Sequence, residues 1–151
     1  MSRGSFTRRG RGFTLAEILT VVVVIAVLAA IAVPLWRVHL LRVRRADAIQ
    51  ALIAVQNAED KYFGRQARYA SGPQLVSPEP EGLGLAARSP RRFYEIEVRS
   101  ADGLAFTATA RTSQTAGQVG DARCTEFSID QNGMRRAVDA DGKDRSADCW
   151  H

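Results

Sequence analysis

Arg11-Gly12-Phe13-Thr14-Leu15-Ala16-Glu17 opens directly into residues 18–36, ILTVVVVIAVLAAIAVPLW, which carry no charge. Extended back to Phe13, the apolar run has 24 residues and one interruption, Glu17. As a helix it would measure about 36 Å, enough to cross a hydrocarbon core of about 30 Å. The remaining chain is too small to surround a helix that is apolar on every face, so burial in a soluble core is a poor account of it. Three membrane readings fit the length: a transmembrane anchor, a secretory signal peptide cut after Ala30-Ile31-Ala32, or a segment in which Glu17 has a purpose. A carboxylate inside such a span costs on the order of 3 kcal/mol. It needs a partner unless it snorkels to the interface, and Arg11, the nearest base, would lie among the headgroups.

Composition supports an exported chain. The 151 residues suit one domain plus an N-terminal segment. The net charge is +5 and the pI about 9.9, which alone would invite a nucleic-acid or anionic-membrane reading. However, Arg3, Arg8, Arg9 and Arg11 all precede Gly12, and without them 17 basic residues face 16 acidic ones. The basicity therefore belongs largely to a targeting segment. Arg37, Arg42, Arg44 and Arg45 follow the span, so the positive-inside count is a tie. Two cysteines, Cys124 and Cys149, lie in the last 30 residues. With an export segment ahead of them a disulfide is expected, two free thiols being the alternative. Such a bridge places the C-terminal part outside the cytoplasm.

The stretch from Arg11 to Glu17 resembles the prepilin signature of type IV pilins and type II secretion pseudopilins. That signature is a basic leader ending in Gly, then Phe-Thr-Leu, one residue, Glu, and an apolar stretch with a Pro near its end. Pro34 is residue 22 counted from Phe13, and Ala29-Ala30-Ile31-Ala32-Val33-Pro34 matches as well. Ala16 and Thr20 stand where larger apolar residues are common, and Trp36 where Tyr is. The resemblance implies cleavage by a prepilin peptidase between Gly12 and Phe13, and N-methylation of Phe13. It also implies pairing of Glu17 with the Phe13 amine of a neighbouring subunit. An unpaired buried carboxylate is expensive, so a pair across subunits favours one register of assembly.

Beyond Pro34, which would bend or locally melt a helix, Ala48, Ile49, Leu52, Val55, Tyr62 and Phe63 recur at helical spacing. This predicts an amphipathic helix to about Gln66, packed on a β domain. Residues 70–92, with Gly72, Pro73, Pro78, Pro80, Gly82, Gly84 and Pro90, read as a connecting loop. Arg88, Arg91 and Arg92 form a basic cluster there, a candidate polyanion or DNA contact beside the plainer reading of a solvated loop. Tyr94-Glu95-Ile96-Glu97-Val98 and Phe106–Ala110 alternate around Ala101-Asp102-Gly103. Residues 124–129 and 134–138 flank Gln131-Asn132-Gly133. These predict two hairpins.

The expected fold is thus α+β: a long N-terminal helix packed on a small antiparallel sheet of about four strands, with a C-terminal disulfide loop. The expected layout is a leader over 1–12, a membrane and polymerisation half-helix over 13–36, an amphipathic half over 37–69, the connection over 70–92 and the β domain over 93–151. A Cys124–Cys149 loop near the C-terminus resembles the D-region of type IV pilins. With the Cys-Trp ending, it points to a pilus subunit, and a minor pilin, over a pseudopilin.

The resemblance implies other pilin subunits, the prepilin peptidase and the inner membrane as partners. The β domain would lie in the periplasm and then in an extracellular pilus serving motility, adhesion or DNA uptake. A membrane-anchored binding module is the alternative from another class. Asp139-Ala140-Asp141-Gly142-Lys143-Asp144 lacks the ligand spacing of a calcium loop, and His39 and His151 complete no zinc set with the cysteines. No nucleophile–base constellation or phosphate loop is present, so neither an enzyme nor a cofactor is expected.

Overall fold

The helix-forming stretch is long because nothing between Leu35 and Lys61 interrupts it: Ala, Leu and Arg predominate, with no Gly or Pro. The structure is a computed structural model and describes residues 14–113 and 121–150. In it α1 runs from Leu15 to Gln66, 52 residues, with Pro34 inside it. Ala67 ends the helix by taking a left-handed φ of 55°, its N–H donating 2.8 Å to the Phe63 carbonyl.

The chain divides into two compact units, Met1–His39 and Leu40–His151. In the described part of the first, the helix exposes its apolar side chains on every side. Leu19, Val22, Ile25, Leu28 and Ile31 are all more than half exposed.

In the second unit, Ala48, Ala51, Leu52, Val55 and Tyr62 are buried on one helix stripe. They share a single core with the inner face of a four-stranded sheet. The strands are β1 (Tyr94–Arg99), β2 (Thr107–Thr112), β3 (Glu126–Asp130) and β4 (Arg135–Val138). They form an antiparallel meander in the order β1-β2-β3-β4. Tyr94, Ile96 and Val98 point inward and Glu95, Glu97 and Arg99 outward. Register follows from that alternation, because a one-residue slip would turn every apolar side chain to water. It sets Ile96 opposite Ala110 and Ala110 opposite Phe127. Small alanines in the central strand leave room for Tyr94 and Phe127, whose rings meet edge to face at 5.7 Å between centroids.

The expected α+β architecture is thus the observed one. Both hairpin turns carry their glycines in the left-handed region, Gly103 at φ 76° and Gly133 at φ 73°. Before β1, residues 72–75 form a 3₁₀ turn, and the chain then returns along the free edge of β1. There the Ile96 N–H donates to the Ala87 carbonyl and the Ser89 N–H to the Tyr94 carbonyl, both at 2.9 Å. At the far edge, the Arg145 N–H donates to the Ala137 carbonyl at 2.8 Å. A one-turn helix α2, Ser146–Cys149, follows. Both sheet edges are thereby covered, which protects against strand-to-strand aggregation.

Candidate functional site: an exposed apolar helix and the domain that carries it

Gly12 and Phe13, the expected cleavage and methylation positions, lie outside the described residues. The next residues form a capping box, in which a side chain at the helix start and one three residues on satisfy each other's backbone N–H groups. The Glu17 N–H donates 3.3 Å to Thr14 Oγ1. Glu17 Oε2 accepts from the Thr14 N–H at 2.9 Å and the Thr14 hydroxyl at 3.0 Å. The Glu17 carboxylate therefore has partners within its own chain, one residue from Phe13. The Thr-x-x-Glu spacing signals such a box, and reading Glu17 only against distant bases overlooked it. Pro34 lies within the unbroken helical stretch. Its neighbours Val33, Leu35 and Trp36 are about half exposed or more.

The folded unit is closed by the Cys124–Cys149 disulfide, with Cα atoms 6.0 Å apart and both residues buried. Trp150 follows, its ring edge to face with Phe127 and its indole N–H donating 2.9 Å to the Arg136 carbonyl.

Three buried acids, Asp47 and Glu59 on α1 and Asp121 before β3, were not legible as buried in the sequence. Asp121, 1% exposed, receives a two-pronged contact from Arg45: Nε at 2.7 Å and Nη2 at 2.9 Å. The planar guanidinium suits that geometry, and the pair ties α1 to the chain just before Cys124. Asp47 Oδ1 accepts the Arg91 N–H at 3.1 Å. Glu59, fully buried, accepts the Ala70 N–H on Oε2 at 2.9 Å and anchors the chain as it leaves the helix. Asp47 Oδ2 and Glu59 Oε1 have no hydrogen-bond partner among the described residues. Burial pushes the Glu59 carboxyl up to about 7, against the lowering effect of the Ala70 N–H; the negative charge of Asp60 adds to the rise.

Of the basic cluster, Arg88 reaches Glu95 at 3.8 Å, while Arg91 and Arg92 are exposed on the turn that Asp47 grips. Asp139 in the acidic turn holds the chain together. Its Oδ1 accepts the Asp141 and Lys143 N–H groups at 3.1 and 2.9 Å, and its Oδ2 accepts Arg145 Nε at 3.0 Å. These bonds, that from Lys143 foremost, hold its carboxyl below the usual range. Among the described residues no group of three or more His, Cys, Asp or Glu is placed to hold a metal ion.

Comparison with known proteins fits this arrangement. Residues 7–33 match the model of the prokaryotic N-terminal methylation motif. Residues 34–128, well over half of the chain, match the model "Type IV minor pilin ComP, DNA uptake sequence receptor". The type IV major pilin protein PilA of Myxococcus xanthus is 34% identical over 104 residues, 68% of this chain and 47% of PilA. The type II secretion system core protein G of Dickeya chrysanthemi is 32% identical over 96 residues, 64% of this chain and 58% of that protein. The chain spans about half the length of these relatives. In fold it is similar to the non-core minor pilin PilV of Neisseria meningitidis, with a TM-score of 0.51 at 14% identity, covering 70% of this chain and 93% of that one. The matched model and the helix-on-sheet architecture together place the chain in the type IV minor pilin family.

Proposed function

We propose that this chain is a subunit of a type IV pilus, a minor pilin, delivered through the inner membrane and assembled by its N-terminal helix. The observation that carries the reading is a folded, disulfide-closed unit whose chain continues into a helix apolar on every side and exposed along residues 15–38. Such a surface is stable in lipid or against other apolar helices and nowhere else in water-filled space.

The layout follows from that. Residues 1–12 form the leader, 13–36 the membrane and polymerisation half of the helix, 37–69 its amphipathic half, 70–92 the connection, and 93–151 the domain displayed on the periplasmic side and then on the fibre. Prepilin peptidase hydrolyses the Gly12–Phe13 amide on the cytoplasmic face, and the freed Phe13 amine is methylated and remains cationic. Before assembly, the carboxylate of Glu17 rests on Thr14 of its own chain. In the fibre it pairs with the Phe13 amine of a neighbour, which trades a neutral pair of donors for a cation. The full positive charge of the amine adds a Coulomb attraction that the Thr14 donors lack, and in apolar surroundings that attraction favours the assembled register. Pro34 supplies the point at which the helix bends. Motility, adhesion and DNA uptake are the roles open to such a filament.

A pseudopilin of a type II secretion system is the second reading, favoured by the likeness to core protein G. Replacing Glu17 with Val tests the assembly role. The expected result is a Gly12-cleaved subunit that accumulates in the membrane while sheared filaments lack it. Incorporation at the normal level would overturn the pairing. Deleting the pilus assembly machinery and the secretion machinery separately tells the two readings apart: the pilus reading requires loss of surface display only with the former.

A further inference from the structure

We propose that the folded unit carries, at its Leu40 end, an arginine face that binds the phosphate headgroups of an anionic bilayer. The inference rests on the membrane reading of residues 18–36. Chain connectivity supplies the proximity, whatever the arrangement of the two units. Leu40 follows Trp36 by four residues and Arg42 by six, so even fully extended chain keeps Arg42 within about 21 Å of the end of the apolar run.

Residues 37–46 contain Arg37, Arg42, Arg44 and Arg45 and no acid. Arg45 is committed to Asp121, whereas Arg42 is exposed. A second basic segment is brought to the same end of the unit. The Arg91 N–H bonds Asp47, one helical turn from Arg44, and the Arg44 guanidinium carbon lies 5.1 Å from the centre of the Phe93 ring. The turn between them is held rigidly. The Arg92 N–H donates to the Ser89 carbonyl at 2.8 Å, and buried Ser89 Oγ accepts the Tyr94 N–H at 3.0 Å. Arg92 itself is kept at φ 62°, a left-handed conformation that a side-chain-bearing residue adopts only when its surroundings impose it. Arg91 and Arg92 are both exposed there.

On the outer face of β1 and β2, by contrast, arginines and glutamates pair. Arg88, Arg99 and Arg111 on the outer face of the sheet each reach Glu95, Glu97 or Glu126. Among the described residues Arg42, Arg91 and Arg92 form no ion pair; Asp47 is buried and accepts the Arg91 backbone N–H, and buried Asp121 is taken by Arg45. The charge of Arg42, Arg91 and Arg92 is thus unmatched among the described residues and tethered close to a surface of phosphates. Guanidinium groups match phosphate geometry. The attraction decays over a Debye length of about 8 Å at physiological salt, so it acts only on a face held at the membrane. Nucleic acid fits less well: Phe93, the aromatic ring of this turn, is partly buried under Arg44 and offers no stacking platform. The face would hold the unit down on the bilayer until assembly lifts it away.

The test uses the full chain in nanodiscs of phosphatidylcholine, with or without one part in three of phosphatidylglycerol, each doped with a spin-labelled lipid headgroup. Paramagnetic broadening of the amides of Arg42, Arg91 and Arg92 is measured at low and high salt. We expect broadening that is stronger in the anionic discs and is lost in high salt. R91Q/R92Q, and independently R42Q on an open helix surface, should weaken the apparent headgroup affinity about five-fold per arginine, the equivalent of about 1 kcal/mol each. Equal broadening in both discs overturns the proposal. So does a DNA duplex that perturbs these amides in neutral discs while phosphatidylglycerol does not, which would make the face a nucleic-acid surface. A chain that enters neither disc refutes the membrane reading itself.

Discussion

Glu59 makes the folded unit sensitive to pH in a direction opposite to most carboxylates. Its side chain is fully buried, one oxygen bonds the Ala70 N–H and the other has no partner among the described residues. The folded carboxyl titrates at about 7 against 4.5 for the free group. A raised folded value means that the folded state binds the proton more tightly than the unfolded state. The associated stability is complete below about pH 4.5 and disappears as pH rises through 7. Between pH 5 and pH 8 the difference works out at about 2.5 kcal/mol lost from the wild-type unit.

Glu59→Gln keeps an acceptor for the Ala70 N–H and removes the titration. The assay is thermal unfolding of the full chain in detergent, followed by near-UV circular dichroism across that pH range. Wild type should lose on the order of 10 °C more in Tm than Glu59→Gln over the window. The variant's new amide N–H₂ lies where Oε1 found no partner, a cost of about 1–3 kcal/mol that shifts all its values equally. Parallel pH profiles for the two proteins would refute the assignment of a buried, proton-binding Glu59.

Two further predictions concern the same unit. Replacing Cys124 and Cys149 with Ser opens a loop of sequence separation 25; the chain-entropy loss is about 3.5 kcal/mol, read as a lower unfolding midpoint without change in the spectrum of the folded form. Asp121→Asn leaves the Arg45 guanidinium, mostly covered and drawn upward in pKa chiefly by its bond to Asp121, without its counter-charge. The loss should be about 3 kcal/mol in the same assay, and Arg45→Met with Asp121→Leu should recover most of it.

Much of this fold was readable from pattern. Strict alternation from Tyr94 to Arg99, Gly103 and Gly133 at turn positions, and an uninterrupted run of helix formers each have one structural solution. The paired cysteines were equally legible once an export segment was recognised. What pattern could not deliver were contacts made at long sequence distance. Arg45 and Asp121 are 76 residues apart, and Asp47 finds Arg91 across 44. By periodicity Asp47 and Glu59 fall on the buried stripe, yet a charged residue is ordinarily assigned to the solvent face. Only the backbone N–H groups of Arg91 and Ala70, brought in by the folded connection, account for their burial. That connection read as a loop because its Pro and Gly residues forbid regular structure. Its pairing along the edge of β1 uses isolated backbone bonds that leave no periodic trace. Phe63 was expected on the packed stripe and is 39% exposed, lying in the last turn of the helix, which ends at Gln66.

Intact mass and terminal sequencing of the protein from its own cells would show whether the apolar helix is a processed pilin N-terminus. The expected chain begins at N-methylated Phe13, with residues 1–12 removed. A chain beginning at Val33, released after Ala32, or one that retains Met1 throughout the assembled pool, would contradict that processing.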